Sequence, residues 1–187
     1  MLIVGENLRG LMRQKNIVES RGSTCFDDNS ITLSLDREII QIKAPHGTVL
    51  HYGQEIPDAF LERTKLSEGP LLIRPRSAVL GCSSERLNFP MGYFGLLQTK
   101  GSLARLFVSV NCADGQIEGG FVGKITFEIV NHSEYTIAIE PLQAVAQLFV
   151  FKTSSRYASP YNGRYQNANC PTVQLPRDRR FDGSNGG

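Results

Sequence analysis

The chain has 187 residues, with 20 Lys or Arg against 18 Asp or Glu and a formal net charge of +2, so no global field draws nucleic acid to it regardless of sequence. A chain of this length buries roughly 70% of its unfolded surface in one domain and needs no disulfide staples. Cys25, Cys82, Cys112 and Cys170 form no CxxC pair and no Cys/His spacing that grips zinc, and no apolar run approaches the ~20 residues of a membrane span, so reduced thiols, a cytoplasmic location and no membrane association are expected.

Leu8, Leu11, Met12 and Ile17 fall at helical spacing within residues 5–20 and predict one short amphipathic helix. After it, short runs rich in β-branched and aromatic residues, bounded by Gly, Pro, Asn and Ser, predict strands over 30–42, 47–52, 70–84, 92–99, 106–112, 123–131, 135–140 and 144–153. Many short strands at close spacing imply a mostly β sandwich or barrel. "NHSE" (131–134) reads as a hairpin turn, and 113–120, with Asp114-Gly115 and Gly119-Gly120, as a loop using left-handed backbone. Tyr157, Tyr161 and Tyr165 then stand among small polar residues, either docked on the domain or a neighbouring subunit or serving as a flap over a ligand. Residues 173–187, with Arg177, Arg179 and Arg180 among Gly, Ser, Asn and Asp, read as a flexible tail, leaving 1–172 as one domain whose flap starts near 153.

Two stretches could carry chemistry. In "GKITFEIVN" (123–131), Ile125, Phe127 and Ile129 alternate with Lys124, Thr126, Glu128 and Val130, so Glu128 faces either water or a site in which it moves protons. "TKGSLAR" (99–105) joins two strand patterns and offers Lys100, Ser102 and Arg105 as donors, with Gly101 allowing close approach to the backbone. That combination suits phosphate, although a solvated turn has the same composition, and GxxxxGK[ST] is absent. His46, His51 and His132 lack both a nucleophile-elbow context and zinc-deaminase spacing, so an activated water would depend on a carboxylate and not on protein-bound zinc.

The order "TKGSLARLFVSVN", "IEGGFVGKITFEIVN", "EPLQAVAQLFVF", "PYNGRYQ" resembles the run of motifs in the dCTP deaminase branch of the dUTPase-like family. The spacing from Arg105 to Glu128 is similar to that family's without insertion or deletion, and weaker resemblance extends over about residues 25–172. The resemblance implies a dUTPase-like distorted β-barrel or jelly-roll, a homotrimer with active sites shared between subunits, and hydrolytic deamination of dCTP or a related deoxycytidine nucleotide. Nucleic acid is not among the implied partners.

Residue by residue, the resemblance implies that Glu128 acts as general acid/base on a water adding to C4 of cytosine, with Arg105 near the reacting centre. Lys100, Gly101 and Ser102 fall on the phosphate-contacting turn, Glu118 beneath the deoxyribose and Thr126 beside the base. Gln147 belongs to the strand similar to the family's A-Q-L element and is expected to contact substrate. Tyr161 and Arg164 match tail residues that close over the triphosphate, which brings Mg²⁺ with it; no metal ligand is expected on the protein. The chain departs from the family pattern at Gly101 (Ser in deaminating members), Lys100 (Arg), Glu118 (Asp), Ala168 (Gln), Leu142 (Gly) and Thr32 (Asp). A dUTPase-like cleavage of the phosphate chain and a catalytically inactive nucleotide-binding trimer remain the alternatives.

Overall fold

The computed structural model describes residues 1–19, 27–67, 69–155 and 159–173. Cys25, Tyr157 and the arginines of the C-terminal tail lie outside the described residues. Helix α1 (Gly5–Lys15) buries Leu8 and Leu11 and ends where Asn16 turns left-handed at φ 48°, its N–H donating to the Met12 carbonyl. It therefore stops short of residue 20, and Ile17 enters the core fully buried from outside the helix.

The strands in chain order are β1 (Val18–Glu19), β2 (Ile31–Ser34), β3 (Glu38–Ile42), β4 (Leu61–Lys65), β5 (Leu71–Ile73), β6 (Ala78–Cys82) and β7 (Arg86–Asn88). They continue with β8 (Tyr93–Thr99), β9 (Val108–Ser109), β10 (Gln116–Ile117), β11 (Val122–Gly123), β12 (Thr126–Asn131), β13 (Ile137–Ile139) and β14 (Ala144–Lys152). A single helical turn, α2 (Gly101–Ala104), follows β8. Two larger antiparallel sheets, in the orders β10-β8-β14-β2 and β4-β3-β6-β12-β9, are joined by a three-stranded sheet β1-β7-β11 and the pair β13-β5. The sheets do not close into a barrel, and the arrangement is jelly-roll-like and dUTPase-like. Leu33, Leu35, Leu97, Phe127, Ile129 and Leu148, all essentially inaccessible, fill the core, each contributing about 1.5–3 kcal/mol of burial free energy. No helix among the described residues is long and apolar enough to cross a membrane.

The structure corrects several expectations. Residues 47–52 form no strand: they belong to the connection between β3 and β4, with Val49 72% and Tyr52 82% exposed, because a short apolar run with no adjacent strand to pair leaves its backbone to water. The predicted strands 30–42 and 70–84 each break in two, the second at a turn holding Arg76 at φ 53°. "NHSE" is not a hairpin turn; β12 pairs with β6 and β9 while β13 pairs with β5, so the turn carries the chain between sheets.

Leu142, in the turn before β14, sits at φ 65° with 58% of its surface exposed. The left-handed conformation costs a non-glycine residue about 1–2 kcal/mol, and little packing offsets it here. Leu142→Gly is expected to stabilise the chain by about 1 kcal/mol net of the entropy that glycine adds to the unfolded state, raising Tm by about 2–4 °C in a thermal melt.

Candidate active site

On β12, Phe127 and Ile129 are fully buried while Thr126, Glu128 and Val130 are half-buried on the opposite face, as period-2 alternation requires. Glu128 lies directly across from Leu80 of β6. On its other side β9 pairs with β12 at Val130 and Ser109, after which Asn111 forms an isolated bridge to Glu128 and the Cys112 N–H donates to the Glu128 carbonyl at 3.4 Å. The Asn111 side-chain amide donates to the Leu97 carbonyl at 2.8 Å, and its carbonyl oxygen accepts from the Thr99 hydroxyl at 3.1 Å. These bonds fix the loop so that the Ala113 N–H reaches Glu128 Oε2 at 2.9 Å. A backbone donor thus orients the carboxylate and leaves its second oxygen for another partner.

Glu128 opens onto a cavity of about 650 Å³. Thr126 on β12 and Lys124 just before it line the cavity, Asp114 and Glu118 do so from either side of β10, and Ile42, Ile56 and Leu80 add apolar surface. Lys124 is the sole cation on the wall among the described residues, and its ammonium is held by the Asp36 carboxylate. Asp36 also lies 3.9 Å from the Cys82 thiol, which burial first and the Asp36 charge second push up to about 12, so it stays protonated at neutral pH. The remaining wall charges, Asp114, Glu118 and Glu128, are all carboxylates.

The last wall of the cavity is a C-terminal strap, residues 159–173, laid parallel along the segment from Gly119 to Thr126. Tyr161 N–H donates to the Gly119 carbonyl (3.0 Å), Asn167 N–H to Val122 (2.6 Å), and Lys124 N–H to Ala168 (2.8 Å). Gln166 bridges both ways, accepting from Val122 N–H at 2.9 Å and donating to the Gly120 carbonyl at 3.0 Å. Gly120 is at φ +91°, and a Cβ there would lie 2.5 Å from Pro160 Cβ, so only glycine admits the strap. Tyr161 packs edge-on to Phe121 with ring centroids 5.7 Å apart. Tyr161, Tyr165, Thr172 and Val173 consequently line the cavity.

Of the residues expected from sequence, the structure brings Glu128, Glu118, Thr126 and Tyr161 together around one cavity. Lys100, Gly101, Ser102 and Arg105 do not line it; they form the start, body and end of α2, where Gly101, Ser102 and Arg105 are exposed. A Cβ on Gly101 would meet nothing within 4 Å. Gln147 donates to Asp27 Oδ2 at 2.8 Å and to the Ser30 hydroxyl at 3.2 Å, bracing the turn before β2 away from the cavity. Arg164 is exposed on the strap and outside the lining. Tyr165, one of the tyrosines read as either docked or a ligand flap, lines the cavity; sequence reasoning missed Asp114, Lys124 and Thr172 as site residues. For Lys124 a signal existed, since it shares the alternating face of Thr126 and Glu128; for Thr172 none did.

Glu118 has its carboxyl raised above the usual range by burial first and by the neighbouring Asp114 charge second. If its ionised form accepts a hydroxyl hydrogen of a bound sugar, affinity rises as pH climbs through that raised pKa. The expected result is that KM falls with increasing pH through an inflection above the ordinary Glu range. Asp114→Asn should move the inflection to lower pH and Glu118→Gln should remove it, both read from KM against pH.

The sequence profile of the dCTP deaminase-like family matches residues 2–153. The chain is 33% identical over 156 residues to the "dCTP deaminase, dUMP-forming" of Corynebacterium kroppenstedtii, covering 80% of this chain and 83% of that one. It is 28% identical over 150 residues to the enzyme of the same name from Dictyoglomus thermophilum, covering 78% and 77%. The solved 2′-deoxycytidine 5′-triphosphate deaminase of Agrobacterium tumefaciens superposes with a TM-score of 0.62 at 18% identity, over 80% of this chain and 47% of that longer one. The dUTPase of EIAV superposes with a TM-score of 0.50 at 15% identity, over 79% of this chain and 97% of its own. With the profile spanning most of its length and a relative above 30% identity, this chain belongs to the dCTP deaminase-like family.

Proposed function

We propose that the protein hydrolytically deaminates dCTP, or a related deoxycytidine nucleotide, to the corresponding uracil nucleotide with release of ammonia. The observation that carries this reading is Glu128, held by the Ala113 N–H at the wall of a 650 Å³ cavity two residues along the strand from Thr126. It gains support from relatives whose names state that activity.

In the proposed mechanism, Glu128 takes a proton from a water whose oxygen bonds to C4, and passes that proton to N3. The tetrahedral centre then collapses: C4=O forms, the C4–N4 bond breaks, and the nitrogen leaves as ammonia after receiving a second proton through Glu128. Thr126 borders the base and Glu118 the sugar. Arg105, Lys100 and Ser102, with Gly101 giving backbone access, serve the reacting centre and the phosphates from the α2 turn of an adjacent subunit in a homotrimer. The charges favour this division, because a cavity whose only cation among the described residues is paired to Asp36 and whose other described charges are carboxylates repels phosphate oxygens. Mg²⁺ would arrive on the substrate's own phosphates.

The relatives named dUMP-forming give weight to a second step, hydrolysis of the phosphate chain in the same site. Incubating the full chain with dCTP and Mg²⁺ and resolving products by mass spectrometry tests both. Ammonia with dUTP supports deamination alone, ammonia with dUMP and pyrophosphate supports both steps, and no ammonia from any cytidine nucleotide refutes the reading.

A further inference from the structure

Thr172 is among the last residues of the strap, and nothing in the motif pattern singles it out. It sits beside Thr126, the residue two positions from Glu128 on the same strand face. The Thr172 N–H donates to Thr126 Oγ1 at 3.2 Å, and the two hydroxyl oxygens are also 3.2 Å apart. Both side chains line the cavity. Each hydroxyl has one hydrogen. One of the two is used in their mutual bond, so the pair keeps one hydrogen to donate elsewhere, and the backbone N–H already fills one lone pair of Thr126.

Same-face neighbours on a strand are about 7 Å apart, a spacing that lets a single pyrimidine ring place C4 beside Glu128 and its C2 carbonyl edge beside the threonine pair. Cytosine presents two acceptors on that edge, N3 and the C2 oxygen, while its C5–C6 edge is apolar. The cavity offers surface for both edges, with the Thr126 and Thr172 hydroxyls and the apolar side chains of Ile42, Ile56 and Leu80 in its lining. Electrostatic complementarity then sets the ring's orientation.

What keeps Thr172 there is Arg86 of β7. Its guanidinium donates to Asn169 Oδ1 at 2.8 Å and to Asn167 Oδ1 at 3.0 Å, and lies 3.5 Å from Glu19 of β1. One planar fork therefore ties the strap to two strands of the folded domain just before the chain reaches Thr172. Backbone bonds and the Gln166 side chain hold the strap along the segment from Gly119 to Lys124; the Arg86 fork adds a second line of attachment, to β7.

We propose that Thr172 is a substrate-binding residue that, with Thr126, donates to the acceptor edge of the pyrimidine, and that Arg86 is the positioning residue that holds it in place. This inference rests on the deaminase reading, and deepens it by assigning base recognition to a residue delivered from the C-terminal strap.

The test measures dCTP affinity with Mg²⁺ by calorimetry in a Glu128→Gln background, where turnover does not interfere, alongside kcat and KM in the otherwise native chain. Thr172→Val removes the hydroxyl at nearly constant volume and should weaken dCTP about fivefold, the range of one lost hydrogen bond, raising KM with kcat within twofold. Thr172→Ser should restore binding to within twofold. Arg86→Ala should weaken dCTP to a similar degree, and the double variant Arg86→Ala/Thr172→Val should be no weaker than Thr172→Val alone, because both act through one hydroxyl. Affinity unchanged or increased in Thr172→Val overturns the inference, increased affinity meaning that the strap must leave for substrate to enter. Full additivity of the two substitutions overturns the role of Arg86. Absence of ammonia from the native chain refutes the deaminase reading independently of these affinities.

Discussion

Glu128→Gln is expected to reduce ammonia release from dCTP by about three orders of magnitude or more while leaving the fold and nucleotide affinity nearly intact. The magnitude follows from what is removed. General acid–base catalysis by one positioned side chain is worth 10²–10⁴ in rate, and the proposed mechanism gives a single carboxylate both proton transfers, from the water and to the leaving nitrogen. The amide oxygen of Gln can still accept the Ala113 N–H that now bonds to Oε2, so the 111–115 loop keeps its anchor. Phe127 and Ile129, which hold β12 in the core, are untouched. Tm should therefore change by no more than a few degrees, and the nucleotide-induced thermal shift should persist. A purely structural Glu128 predicts the reverse pattern, with stability lost and turnover falling only with the folded fraction. Measuring ammonia production and thermal unfolding on the same preparation separates the two.

How far the sequence exposed this site depends on the kind of interaction that builds each part. Glu128 and Thr126 share a face of β12 because of a local rule, the two-residue period of a strand, and "GKITFEIVN" shows that alternation directly, with Lys124 continuing it just before the strand. Strands β8, β12 and β14 were legible for the same reason: each has six or more residues, most of them apolar or β-branched. Strands β4, β7 and β10 were not, because "LERTK", "RLN" and "QI" are too short or too polar to show a period. They become strands by pairing with β3, β1 and β8, a tertiary fact. Residues 47–52 fail in the opposite sense, with strand-like composition and no partner. Thr172 was invisible because its placement comes from Arg86 and Gly120, 86 and 52 residues away respectively by subtraction of their numbers, through hydrogen bonds that no local pattern encodes. Leu142 shows resemblance and structure agreeing for a stated reason: the family's glycine stands where this chain needs a left-handed residue.

The separation of the α2 turn from the Glu128 cavity leads to the second large effect. Within one chain, Arg105 ends an exposed turn and does not line the cavity that Glu128 lines. A guanidinium that must approach the reacting C4 or the phosphates therefore has to come from another copy if the proposed trimer has shared sites. Arg105→Ala alone and Glu128→Gln alone should each be nearly inactive. Unfolding the two variants together at equal concentration and refolding them should regain activity, because some sites then pair an intact Glu128 from one subunit with an intact Arg105 from its neighbour. With random assortment, each site draws its Glu128 and its Arg105 from different chains, each intact half the time, so recovery should reach about one quarter of the native rate. Refolding either variant by itself controls for damage and should recover nothing. If Arg105 served the cavity of its own chain, no mixed assembly would contain a complete site and activity would stay at the single-variant level. Recovery near one quarter thus measures two things at once: that the chain assembles, and that the α2 turn and β12 of different copies meet around one nucleotide.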